Sequence, residues 1–153
     1  MSLLQAGVAS LTVANRTPAR AAALAAQFNA SAALRDGGLP PVRAVELAAA
    51  RPADLVLNAT SSGVLAGELA LPSDLFAGCS LAYDCVYSAR PTVFMVQAEA
   101  GGAARTADGL GMLVEQAAES FLIWRGVRPA TGPVYRMLRE SIGAQAGGAG
   151  DAR

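Results

Sequence analysis

The chain has 153 residues, a formal net charge of zero at neutral pH and 53% hydrophobic residues. That is one domain's worth of chain, apolar enough to bury a core. The balanced, unclustered charge speaks against a nucleic-acid or acidic-lipid surface. No uninterrupted apolar run reaches the ~18 residues that span a membrane. Met1–Gly7 has no basic segment and is too short for a signal peptide, so a cytoplasmic location is expected.

All twelve basic residues are arginine; lysine and histidine are absent. Arginine stays protonated and shuttles protons poorly. A general acid or base would therefore have to be Asp, Glu, Tyr or Cys. Cys79 and Cys85 have no ligand cluster around them in sequence, so no metal site is expected. In a cytoplasmic chain they are read as two reduced thiols.

In chain order, Leu3–Gly7 reads as the end of a helix closed by glycine. Ala9–Asn15 is a short strand. Pro18 then suits the first turn of a helix running to about Phe28. Between them stand Asn15, Arg16 and Thr17, with Arg20 one turn on. Arginine opposes the dipole at a helix N-terminus, so an anionic ligand is favoured over solvated side chains. At this point of a dinucleotide-binding unit, arginine suits a ribose 2′-phosphate, whereas NAD users place an acid there.

Asn29–Pro41 is expected to be a loop, and Val42–Ala50 an alanine-rich helix ended by Arg51-Pro52. Asp54–Asn58 reads as a buried strand with Asn58, Ala59 and Thr60 at its carboxyl end, where ligands sit in open α/β sheets. A plain polar turn is the other reading. After a polar loop (residues 61–80) with one turn near Asp74–Phe76, Ser80–Tyr87 forms the next strand and its exit. A helix follows over Thr92–Ala100, then a short strand at Arg105–Thr106.

Asp108 can cap the following helix, which ends at Gly126. Gly109 and Gly111 keep its first turn bare for a close backbone or ligand approach. Leu110, Leu113, Val114, Ala117, Phe121 and Trp124 recur at helical spacing and are expected to be buried. Gln116 is read as a solvated or packed polar residue. Thr131 to about Ile142 is a last helix, and residues 143–153 a frayed tail. Alternating strands and helices imply a parallel α/β sheet with flanking helices.

Four blocks stand in order at matching spacing: Asn15-Arg16-Thr17, Asn58 to Gly63, Tyr83-Asp84-Cys85-Val86-Tyr87 and Asp108 to Ala117. Together they resemble the C-terminal, cofactor-binding half of shikimate dehydrogenases. The resemblance implies a single Rossmann-like NADP-binding domain over residues 1–153. It is expected to lack the first strand and its glycine-rich loop, with the C-terminal helices packed on the domain. It implies that Asn15, Arg16, Thr17 and Arg20 hold the adenosine 2′-phosphate. Asn58, Ala59 and Thr60 would lie against the nicotinamide ribose and phosphates, and Cys85 and Gly109 against the nicotinamide. Tyr87 and Gln116 would face the substrate.

The implied reaction is reduction of 3-dehydroshikimate to shikimate with NADPH, in aromatic amino-acid biosynthesis. The family's proton-transfer pair is a lysine and an aspartate in its N-terminal half, and this chain has no lysine. No catalytic residue is therefore assigned here, and negligible turnover is expected of the chain alone. The alternatives are a non-catalytic cofactor-binding or oligomerising module, or a quinate/shikimate relative using NAD. A homo-oligomer is expected, because strand edges lacking the central strand would be open to pairing.

Overall fold

The computed structural model describes residues 2–31, 38–60 and 69–148. The expected loop segment 32–37, residues 61–68 of the expected polar loop and the end of the tail at 149–153 lie outside the described residues. The chain divides into two compact units: Met1–Arg51 with Ala70–Leu75, and Pro52–Leu69 with Phe76–Arg153.

In the first unit, helix α1 (Ser2–Gln5) ends at Gly7, whose φ of +89° only glycine adopts without strain. Strand β1 (Leu11–Asn15) follows, then α2 (Pro18–Asn29), which opens on proline as expected. Leu4, Ala25 and Val42 form a buried cluster with Val13, Phe28 and Leu39 packed on it.

Val42–Glu46 is a strand, β2, and not the expected helix; only Leu47–Ala49 makes a helical turn, of 3₁₀ type. β2 runs parallel to β1 in a register that sets Val42 against Leu11 and Glu46 against Asn15. Asn29 at the end of α2 brackets the start of β2: its side chain donates to the Val42 carbonyl and accepts from the Val42 amide, both at 2.9 Å. These non-local bonds outweigh the helical preference of the alanines beside them.

The second unit holds a parallel sheet in the order β3–β4–β5, formed by Leu55–Asn58, Leu81–Asp84 and Thr106–Ala107. Ala82 in β4 is fully buried. Phe76 and Phe94 meet edge to face, ring centres 5.6 Å apart. β3 was expected to be buried, but Leu55 and Leu57, which share one face of the strand, are exposed. Helix α3 (Val93–Ala100) is capped by Thr92, whose hydroxyl accepts from the Met95 amide.

Helix α4 (Leu110–Arg125) ends at Gly126, which takes the left-handed φ of +72°. Its buried stripe is Leu110, Val114 and Ala118. The stripe stops there: Ala117 is exposed, as are Phe121 at 45% and Trp124 at 78%, against expectation. Helix α5 (Thr131–Gly148) packs on α4 and continues well past Ile142, so residues 143–148 are helix and not frayed tail. Leu113, Phe121, Val134 and Leu138 line an apolar pocket between the two helices. No helix among the described residues is long and apolar enough to cross a membrane.

Candidate functional site

The first group of candidate residues sits at the turn from β1 to α2. Asn15 Oδ1 accepts from the Thr17 amide at 2.8 Å, a local turn that swings the chain off the strand and presents Arg16 outward. Thr17 caps α2 without a side-chain hydrogen bond, and no acid stands in the helix's first turn. Among the described residues neither Arg16 nor Arg20 has an ion-pair partner, and both are exposed. Two guanidinium groups and a hydroxyl thus stand within one turn of a helix N-terminus that has no acid in its first turn. That donor set suits a phosphomonoester. Glu46 is the one acid close by in the sheet, in register with Asn15.

The second group lies at the carboxyl ends of β3, β4 and β5. Asp84, fully buried at the end of β4, organises it. Its carboxylate accepts from Asn58 Nδ2 at 3.2 Å, from the Val86 amide at 3.1 Å and from the Thr92 hydroxyl at 2.6 Å. Asn58 in turn accepts from the amide and hydroxyl of Thr60. One acid therefore fixes the end of β3, the exit of β4 and the cap of α3. Asp84 was not singled out as a site residue from sequence. The signal that could have found it is a charged residue inside an otherwise apolar strand, which needs satisfied bonds to be buried.

Gly109 follows the short β5. Its amide donates to the Val86 carbonyl at 3.0 Å, and a Cβ there would lie 2.0 Å from the Cys85 carbonyl oxygen. The approach is backbone to backbone, which explains the glycine. Asp108 stands one residue before the helix cap and accepts from the Leu110 amide at 3.3 Å, close to the capping role expected of it. Tyr87 and Gln116 are exposed, and Ala59 and Thr60 are exposed at the end of β3. Cys79 and Cys85 are free thiols, as expected.

The family model for the shikimate 5′-dehydrogenase C-terminal domain matches residues 109–139. The NADP(+) shikimate dehydrogenase of Nitrosospira multiformis is 47% identical over 142 residues, covering 93% of this chain and 50% of that protein. By sequence the chain belongs with the C-terminal half of the shikimate dehydrogenases. It spans about half the length of the curated relatives it matches. Among solved structures, an Ael1 enzyme from Pseudomonas putida superposes with a TM-score of 0.78 at 41% identity, over 90% of this chain and 48% of that one. Quinate dehydrogenase from Corynebacterium glutamicum, in complex with NAD, gives 0.69 at 28% identity, over 90% of this chain and 48% of that one. The Rossmann-like α/β architecture expected from sequence is that of these shikimate dehydrogenase relatives.

In the second unit, the electrostatics concentrate around Asp108. Burial alone would raise its carboxyl pKa. The Arg139 guanidinium and the amides of Leu110 and Ser88 outweigh burial and hold it below the usual aspartate value. Cys85 is shifted up, first by burial and then by the charge of Asp84, so its thiol is a weak nucleophile at neutral pH. Tyr83 is also raised, chiefly by burial, although its phenol oxygen accepts a hydrogen bond from the Met112 amide.

Proposed function

We propose that this chain is the NADP-binding domain of a shikimate dehydrogenase-like oxidoreductase acting on a small-molecule substrate, 3-dehydroshikimate. Asn15, Arg16, Thr17 and Arg20 hold the adenosine 2′-phosphate. Asn58, Ala59, Thr60, Cys85 and Gly109 border the nicotinamide end, and Tyr87 and Gln116 face the substrate. The nucleotide supplies hydride when bound. The observation that carries this reading is two exposed arginines and a threonine at the α2 N-terminus, with no acid in the helix's first turn and no ion-pair partner among the described residues, in a chain related to NADP(+) enzymes.

What this chain's own residues do is bind and orient. A guanidinium pair can clamp the phosphate bidentately. The tight Gly109–Cys85 contact holds two backbones together at the nicotinamide end. With no lysine or histidine in the chain, proton transfer at the substrate hydroxyl is assigned to residues it does not contain. The chain alone therefore binds cofactor without appreciable turnover. We further propose a cytoplasmic protein that self-associates through strand edges, with neither nucleic acid nor membrane as partner. A monomeric mass by light scattering at high concentration would refute self-association.

The test is a titration with NADPH and with NADH, followed by fluorescence. NADPH should bind at least tenfold tighter, and Arg16→Ala should erase the difference. Equal affinity for both nucleotides, or binding of neither, refutes the reading. NAD as cofactor is the second reading. It is favoured by Glu46 in register with Asn15, because an acid near this point suits a free ribose hydroxyl.

A further inference from the structure

Arg139 is half-buried on α5, 31 residues from the turn it serves. Its Nη1 donates to Asp108 Oδ2 at 2.9 Å, and its Nη2 to Asp108 Oδ1 at 2.5 Å. Nη1 also donates to the Ser88 carbonyl at 3.3 Å. The Asp108 carboxylate accepts from the Ser88 amide at 3.4 Å and from the Leu110 amide at 3.3 Å. Tyr135, one turn earlier on α5, stacks under the guanidinium, its ring centre 5.5 Å away, and its hydroxyl accepts from Nη2. Three segments distant in sequence thus close on one fork: the exit of β4, the β5–α4 turn and α5.

We propose that Arg139 is a positioning residue for the nicotinamide end of the site. This rests on the cofactor reading above. Ser88 is next to Tyr87, and Asp108 is next to Gly109. The guanidinium touches no expected ligand contact itself, yet it fixes the backbone on which two of them stand. Beside the long Ser88–Asp108 bond, the one backbone-to-backbone bond that ties the β5–α4 turn to the β4 exit among the described residues is from the Gly109 amide to the Val86 carbonyl. A single main-chain bond leaves the turn free to pivot; a planar bidentate clamp does not. The close Gly109–Cys85 approach needs that rigidity, since no slack separates the two backbones.

The test uses the whole chain and the variants Arg139→Met and Arg139→Lys. Hydrogen exchange reads the clamp without any ligand. In Arg139→Met the Ser88 and Leu110 amides should exchange at least tenfold faster, with the α2 amides unchanged. Titration reads the consequence. Affinity for NADP(+) should fall about tenfold, while affinity for adenosine 2′,5′-bisphosphate, which lacks nicotinamide, stays within twofold. Arg139→Lys keeps the charge but not the fork, and should recover only part of the loss. Unchanged exchange at Ser88 and Leu110 overturns the proposal, as does equal weakening of both nucleotides in Arg139→Lys, the milder variant. A wild-type chain that binds neither nucleotide refutes the cofactor reading, and the positioning role with it. The exchange data then tell that failure apart from a clamp that never existed.

Discussion

The α-carbon of Gly109 faces the Cys85 carbonyl so closely that a methyl group there would lie 2.0 Å from the oxygen and 2.6 Å from the carbonyl carbon. Both obstacles are backbone, so no rotamer change relieves the clash. Gly109→Ala should therefore force the β5–α4 turn away from the β4 exit. The expected cost is more than about 3 kcal/mol, at the upper end of overpacking effects. Urea unfolding checks this; a loss below 1 kcal/mol would mean the two backbones are not held together in solution.

Gly111 gives the opposite expectation two residues later. Nothing lies within 4 Å of a Cβ built there. Inside α4, alanine should stabilise the free chain by about 0.5–1 kcal/mol over glycine. If Gly111 is bare to admit the nicotinamide end, Gly111→Ala will raise the melting temperature and weaken NADPH binding together. A stabilised variant with unaltered NADPH affinity would show that no ligand approaches this turn.

Asp84 holds three donors that have no other partner in its network: the Asn58 amide group, the Val86 N–H and the Thr92 hydroxyl. Asp84→Ala strands them in a buried setting and should cost about 3 kcal/mol. Thr92→Val removes one donor and also the α3 cap, and should cost about 1–2 kcal/mol. The two sites share a bond, so the double variant should lose less than the sum of the singles. Strict additivity in denaturant unfolding would argue against the shared network.

The parts of this site that were legible in sequence are local ones. Pro18 at a helix start and glycine at position 126 each act within a turn of their own position. What was misread depends on distant partners. Val42–Glu46 is a strand because β1 and Asn29 bond it, and nothing within those five residues says so. The apolar spacing of α4 runs on to Phe121 and Trp124, but burial needs something to pack against, and it ends at Ala118. Asp84 and Arg139 do their work on groups 26 and 31 residues away, beyond any periodicity.

The Asp108–Arg139 pair should leave a mark on acid stability. The Asp108 pKa is lowered in the folded chain, so its contribution is complete above the unfolded aspartate value of about 3.9 and vanishes as pH falls through the lower folded value. Below pH 4 the wild type should lose stability more steeply than Asp108→Asn, while the two run parallel from pH 5 to 7. Chemical unfolding across pH 2–7 measures both slopes. Identical slopes below pH 4 would show that the pair forms no stronger in the folded chain than in the unfolded one.

Glu46 offers a test of cofactor choice that leaves the arginines untouched. It sits beside Asn15 in the parallel register and is exposed, and among the described residues it makes no ion pair. Its charge repels a phosphate held at the α2 N-terminus but can accept a bond from a free ribose hydroxyl. If the 2′-phosphate is the native ligand group, Glu46→Gln should tighten NADPH binding about two- to fivefold and leave NADH nearly unchanged. The gain should shrink as salt is raised, because exposed charges are screened within about 10 Å at 0.1 M. If NAD is the native cofactor, the same change should weaken NADH instead, since the ribose hydroxyl loses a charged acceptor. A paired titration of NADPH and NADH at low and high salt separates the two outcomes.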